Sequence, residues 1–281
     1  MKNLKPAALA LGLVFAGCTG NGPAETDTVP AYENVTTVRL TVSEGKRLIA
    51  KGLARNEDIR RCLGEGMLII TRGTTNTYIA EELANLSAPH GSFVTGKIIP
   101  TGTKDFADTL ERVTEIVLIK GKPAEIGYEE ALARMTENDI VLKGANMLNY
   151  AKRQAAVCTG APDGGTVARL KRYTDRGIGR WIVPIGLEKE CSGDLRMYRE
   201  VVENAKEKGP GTVRLTLTEG NVYTEIEALK EFADVDVYPA ALGGVAGAEG
   251  GATLMICGDA EEVGKAVEAV HSVLGEPPFA E

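Results

Sequence analysis

The sequence predicts an α/β fold: a mostly parallel sheet covered by helices on both faces, followed by a small C-terminal α+β domain. Three observations carry this expectation. Short apolar runs without polar alternation recur at Met67–Thr71 (MLIIT), Ile116–Ile119 (IVLI), Asp139–Leu142 (DIVL), Ala155–Cys158 (AAVC) and Trp181–Ile185 (WIVPI). Such runs suit strands buried on both faces. Helical periodicity falls between them, at Tyr128–Met135 and Val167–Asp175, and after them at Asp194–Lys208. A Lys208-Gly-Pro-Gly211 break then precedes a tighter alternation of strand and helix signals.

The chain begins with Lys2 and Lys5, an apolar run from Pro6 to Gly17, and Cys18. A basic start, a short apolar stretch and small residues before a cut site describe an export signal over residues 1–17, too short for a stable membrane span. Ala16 and Gly17 directly before Cys18 resemble the lipobox of bacterial lipoproteins, with Phe15 in place of the usual aliphatic residue. This predicts lipidation at Cys18 and attachment to a membrane of the bacterial cell envelope after export. Residues 18–37 are polar, carry Pro23 and Pro30 and show no apolar period, so they predict a flexible tether.

The folded body is expected from Val38. Val38–Val42 alternates as a strand, and Ser43 can cap a helix through Leu48, Ile49 and Leu53. Asn56 can cap a second helix through Ile59 and Leu63, ended by Gly64 and Gly66. After the Met67–Thr71 run, Arg72–Asn76 forms a turn that opens a helix through Ile79 and Leu83. The α/β domain is expected over residues 38–209 and the α+β domain over residues 210–281. In the latter, Val213–Leu217, Val235–Tyr238 and Thr253–Cys257 read as strands, and Gly243–Gly251 as a glycine loop. Val222, Ile226, Leu229 and Phe232 mark one helix, and a second runs from Ala260, with Asp259 and Glu262 at capping-box spacing. This order is that of a ferredoxin-like unit.

Composition excludes several classes. Lys+Arg 32 against Asp+Glu 39 gives a net charge of −7 with no basic block, which disfavours a nucleic-acid binder. Besides Cys18, the cysteines at 62, 158, 191 and 257 form no C-x-x-C pair, and His90 and His271 lack metal-ligand spacing, so no metal site and no cofactor is expected. Free, mostly buried thiols are the preferred reading. A homo-oligomer is compatible with this composition.

The chemistry-bearing segment is Met67–Leu83 (MLIITRGTTNTYIAEEL). A strand, a glycine turn and a helix N-terminus favour an anion such as phosphate or carboxylate. Gly73 allows close backbone approach, and Thr74, Thr75 and Asn76 offer hydrogen bonds. The alternative is a plain turn in which Asn76 or a threonine caps the helix.

These residues, with two later segments in the same order, resemble the NagB/RpiA/CoA-transferase fold, ribose-5-phosphate isomerase A most of all. Arg72–Thr77 with Glu81-Glu82-Leu83 is similar to that family's GTGST-like loop and following helix. Asp139–Asn146 is similar to its strand ending in DGADE, and Trp181–Lys189 to its strand followed by DESK-like residues. The resemblance implies a Rossmann-like sheet and a cleft for a small sugar phosphate. The acids used for proton transfer are replaced: Lys143 and Asn146 stand at the ends of the DGADE-like segment, and the glycine run Thr159–Thr166 has no matching glutamate.

The candidate ligand-binding residues are therefore Gly73, Thr74, Thr75, Asn76, Gly144, Asn146, Gly164 and Gly165. The catalytic candidates are Lys143, Asp163 and Glu188. Each has a plainer alternative: a solvated lysine, a turn residue in Pro-Asp-Gly-Gly, and a solvated charge run over 188–190. The expected function is an exported, lipid-anchored protein binding a small anionic or hydroxylated metabolite, with isomerase or transferase activity as one version. A non-catalytic binding or assembly lipoprotein is the other.

Overall fold

The structure, a computed structural model, describes residues 30–161 and 163–280. The signal and Cys18 lie outside the described residues. No described helix is long and apolar enough to cross a membrane.

The first strand, β1 (Asn34–Leu40), starts four residues before the expected body and takes up the end of the expected tether. Its exposed and half-buried residues alternate, so it carries no strong apolar signal. Backbone pairing to a C-terminal strand holds it instead, with Asn34 opposite Gly258 and Leu40 opposite Ala252. Helix α1 (Val42–Arg55) follows, capped by Thr41 and not Ser43. Thr41 and Glu44 form a reciprocal capping box, which satisfies two N–H groups. Asn56 caps α2 (Glu57–Glu65) as the sequence predicts, its side chain accepting from the Ile59 N–H.

The centre is a six-stranded mixed sheet. Strand β2 (Met67–Ile70) leads into α3 (Thr74–Ala84), then a long irregular segment, then the hairpin β3 (Ile116–Ile119) and β4 (Lys122–Pro123). Helix α4 (Tyr128–Arg134) precedes β5 (Ile140–Leu142), and β8 (Arg180–Pro184) follows α5 (Gly165–Thr174). The order across the sheet is β10-β8-β5-β2-β3-β4, where β10 is Val222–Tyr223. The four strands from β10 to β2 run parallel, while β3 is antiparallel to β2 and to β4. The sheet is therefore mixed. An apolar run such as IVLI fixes burial but not direction, so β3 could be placed in the core from sequence while its antiparallel pairing could not.

Two antiparallel three-stranded sheets flank it. One joins β6 (Met147–Asn149), β7 (Gln154–Thr159) and β9 (Arg214–Glu219), with α6 (Leu195–Glu203) packed on it. The other joins β1, β12 (Ala252–Gly258) and β11 (Asp236–Leu242). The strands beyond residue 209 are thus shared among all three sheets, and residues Tyr32–Glu281 form one compact unit. The Val222–Phe232 pattern, expected as one helix, divides into β10 and a shorter α7 (Glu225–Lys230), because Val222 and Tyr223 extend the central sheet beside β8. The last helix, α8 (Ala260–His271), is capped by Asp259 as predicted. The Glu262 side chain goes to the Asp234 N–H, so the box is not reciprocal.

A main apolar core runs through these layers, with Leu48, Ile49, Leu68, Ile69, Ile79, Leu118 and Leu132 fully buried in it, and Ala156, Leu195 and Leu217 form a small second cluster. Helix α1 packs between α3 and α7. A Cβ on Gly52 would lie 2.7 Å from the Ala228 Cα, and one on Gly45 2.6 Å from the Glu225 Oε1. These two glycines, seven residues apart, let α7 lie against α1.

Candidate functional site

The carboxyl ends of β2 and β5 open into a cleft of about 540 Å³. In open α/β sheets ligands sit beyond the carboxyl ends of the strands, so the position itself is notable. Three segments that are far apart in sequence line it: Arg72–Asn76, Lys143–Asn146 and the glycine run around Thr159–Thr166. A fourth wall, Val94–Ile98, comes from the irregular segment after α3.

The β2–α3 turn is built around Asn76, which is 1% exposed. Its Nδ2 donates to the Thr71 carbonyl at 2.7 Å and to the Leu142 carbonyl at 2.8 Å, tying the ends of β2 and β5 together. Asn76 is therefore a brace below the helix and not its cap. Gly73 stands at the cap position with no side-chain hydrogen bond to the helix. Among the described residues, no acceptor takes the N–H groups of Thr74, Thr75 or Asn76. The Gly73 backbone is extended, and a Cβ there would meet only Asn76 Cβ at 3.9 Å. Nothing in the fold requires glycine at this point; the space it leaves belongs to the cleft.

The glycine run gives a second helix start. Gly164 (φ +80°) and Gly165 (φ +57°) turn the chain into α5, where the Asp163 carboxylate takes the Gly165 N–H at 2.9 Å. Two helix N-termini therefore face one cleft; that of α3 has no side-chain cap and keeps its partial positive charge, while that of α5 is partly offset by Asp163.

Charge reinforces this. Lys46, Arg72, Lys97, Lys143, Arg169 and Lys189 line the cleft, and among the described residues no Asp or Glu does. Five of the six have carboxylate partners set back from it. Arg72 pairs with Glu115 at 3.1 Å, Lys97 with Asp105 at 2.8 Å, Arg169 with Glu129 at 2.5 Å, and Lys46 and Lys189 share Glu188 at 3.5 and 3.7 Å. Lys143 is the exception. It is 8% exposed, and no hydrogen bond or ion pair to its Nζ occurs among the described residues. Burial lowers its pKa to about 8, with Glu115 opposing and Arg72 assisting the shift. The Thr159 hydroxyl, also in the wall, is buried without a hydrogen-bond partner.

The other predicted residues divide. Thr74, Thr75, Gly144, Asn146 and Gly165 line the cleft; the Asn146 Oδ1 accepts from the Cys158 N–H at 2.9 Å, so its side chain also ties the entry of β6 to β7 at the end of the hairpin away from its turn. Asp163 does not join them. Its side chain is 66% exposed, accepts from the Gly165 N–H at 2.9 Å, and faces a broader groove on the other side of α5 together with Gly164. That groove, about 1290 Å³, is larger, yet acids and bases pair within it, as Arg196 does with Glu219 and Lys171 with Asp175.

Glu188 is not part of a solvated run. Its side chain is 13% exposed, folded back over Gly186 and joined to the cleft through Lys46 and Lys189. Behind it Glu225 is fully enclosed, its Oε2 accepting from the Leu187 N–H at 3.0 Å; burial and the Glu188 charge raise its pKa well above the carboxylate range. Cys158 is half-buried in the wall, and burial raises its thiol pKa, which suppresses the thiolate. Cys62, Cys191 and Cys257 are free thiols as well.

Sequence reasoning missed Lys46, Lys97 and Arg169. Lys46 was detectable as a lysine on the apolar face of α1, between Gly45 and Leu48. Lys97 and Arg169 carried no such signal, since only the tertiary fold brings their segments to the cleft. No protein family, curated protein or solved structure matches the chain.

Proposed function

We propose that this protein is an exported, lipid-anchored binding protein for a small anionic or hydroxylated metabolite, held in a NagB/RpiA-like cleft over the Gly73–Asn76 turn. The observation that carries this reading is the wall of the cleft: the uncapped N-terminus of α3, six cationic side chains and, among the described residues, no carboxylate. A cleft of this volume suits a small metabolite, and exposed N–H groups at helix starts favour phosphate or carboxylate oxygens. Lys143 supplies a desolvated cation, whose attraction for an anion is stronger than that of a solvated one.

The same wall favours binding over aldose–ketose isomerisation. Proton transfer between adjacent carbons needs a base at the substrate, and among the described residues no carboxylate or histidine lines this cleft. Glu188 and Glu225 stand behind Lys46 and do not line it. The lipobox-like segment ending at Cys18 supports a location outside the cytosol.

Thermal-shift and calorimetric titration with inorganic phosphate, small carboxylates and pentose 5-phosphates tests the site. Anions are expected to raise Tm with competition among them, and Thr74→Ala with Lys143→Met is expected to abolish the shift. Equal shifts in the double variant would remove the cleft from the account. For the anchor, Cys18→Ser is expected to release the protein from membranes; continued fractionation in a lipid-labelled form would contradict it.

A further inference from the structure

We infer that Lys143 is a nucleophilic amine that captures a small aldehyde or ketone bearing a carboxylate or phosphate as a reversible imine. This rests on the anion-site reading above and adds to it what the amine does to the bound molecule.

The inference begins with the contrast between Lys143 and its neighbours. Among the described residues every other cation of the cleft faces a carboxylate, and Lys143 alone does not. A lysine kept only as a cation gains from a partner or from water. One that is nine-tenths buried and unpaired has its charged form disfavoured, so a larger share is neutral near pH 7 and carries the lone pair needed for attack on a carbonyl carbon. The lowered pKa agrees with this placement.

The stem is also fixed at its base. The Lys143 N–H donates to the Ile182 carbonyl at 3.2 Å, and the Lys143 carbonyl accepts from Trp181 Nε1 at 2.7 Å. The residue therefore leaves the end of β5 from a set position, and its side chain runs into the same cleft as the free N–H groups of α3. An anion on those N–H groups would place the rest of a small molecule within this cleft. Orientation of this kind is worth orders of magnitude over a free amine in solution.

The step balances without any further reagent. The neutral Nζ bonds to the carbonyl carbon as the C=O π pair moves to oxygen. Proton transfer from nitrogen to that oxygen gives a carbinolamine. Loss of water then leaves the imine, and addition of water reverses the sequence.

The test uses the purified mature protein, glyoxylate and glycolaldehyde phosphate as probes, and cyanoborohydride to reduce any imine to a stable secondary amine for peptide mapping. Labelling of Lys143 is expected to exceed that of exposed Lys120 and Lys122 by more than about tenfold, because far more of a low-pKa amine is neutral at pH 7. Excess inorganic phosphate is expected to suppress it. Lys143→Arg is expected to lose the adduct; an equal adduct yield in that variant would place the label on another amine and overturn the imine at Lys143. A phosphate-induced rise with adducts on surface lysines only would overturn the imine and leave the anion site standing. Labelling of Lys143 that phosphate leaves untouched would overturn the shared placement, and absence of both signals would overturn both readings.

Discussion

Lys143 concentrates the tension between stability and function in this protein. Its pKa falls from 10.5 to about 8 because burial disfavours the ammonium, so the fold prefers the neutral amine. Its contribution to stability is full above the unfolded pKa and is lost as pH falls through about 8. At pH 7 the buried charge costs up to about 3 kcal/mol by linkage. Lys143→Met is therefore expected to raise the free energy of unfolding at pH 7 in denaturant titrations and to weaken anion binding at the same time. For the wild type, affinity for phosphate is expected to decline above pH 8, two units below the range of an ordinary lysine; Arg72 and Glu115 are the charged groups that bear on this titration. A flat affinity from pH 7 to 10 would show that Lys143 does not hold the anion. The sequence made Lys143 a candidate because it ends an apolar strand. It could not show the missing partner, since that depends on where Glu115 and Glu188 point.

At the scale of elements, the parts written in local chemistry were legible. Asn56 and Asp259 cap the helices they precede, and the apolar runs at 67, 116, 140 and 181 became strands of one sheet. What tertiary pairing decides was not legible: β1 is held by cross-strand partners more than 200 residues away, and β3 runs against its neighbour. The same limit applied to the cleft. Its floor, the turn after β2 and the end of β5, follows from strand ends, whereas Lys97 and Arg169 reach it on a loop and a helix that sequence could not orient. The contact of α1 with α7 offers a direct check. A methyl at residue 52 would meet the Ala228 backbone at 2.7 Å, where no flexible side chain can yield. Gly52→Ala is expected to lower stability by about 1–3 kcal/mol despite the better helix propensity of alanine. An unchanged or raised Tm would contradict the packing described.

At the largest scale, the body from Tyr32 onward behaves as one unit in its connectivity. Strand β9 completes the sheet of β6 and β7, β10 extends the central sheet, and β12 pairs with β1, so removing residues 210–281 would leave an open edge in each. Calorimetry of the purified protein is expected to show a single cooperative transition whose van't Hoff and calorimetric enthalpies agree. Two transitions would mean that the C-terminal strands fold apart from the rest. The central claim, that a small anion binds where the two helix starts meet, is tested most directly by amide NMR during titration with inorganic phosphate. Saturable shifts confined to Thr74, Thr75, Asn76, Thr166 and Val167, and lost in Lys143→Met, are the result this account predicts. Shifts that cluster instead along the groove of Arg172, Arg176 and Arg214, with the Thr74–Asn76 amides unmoved, would contradict it.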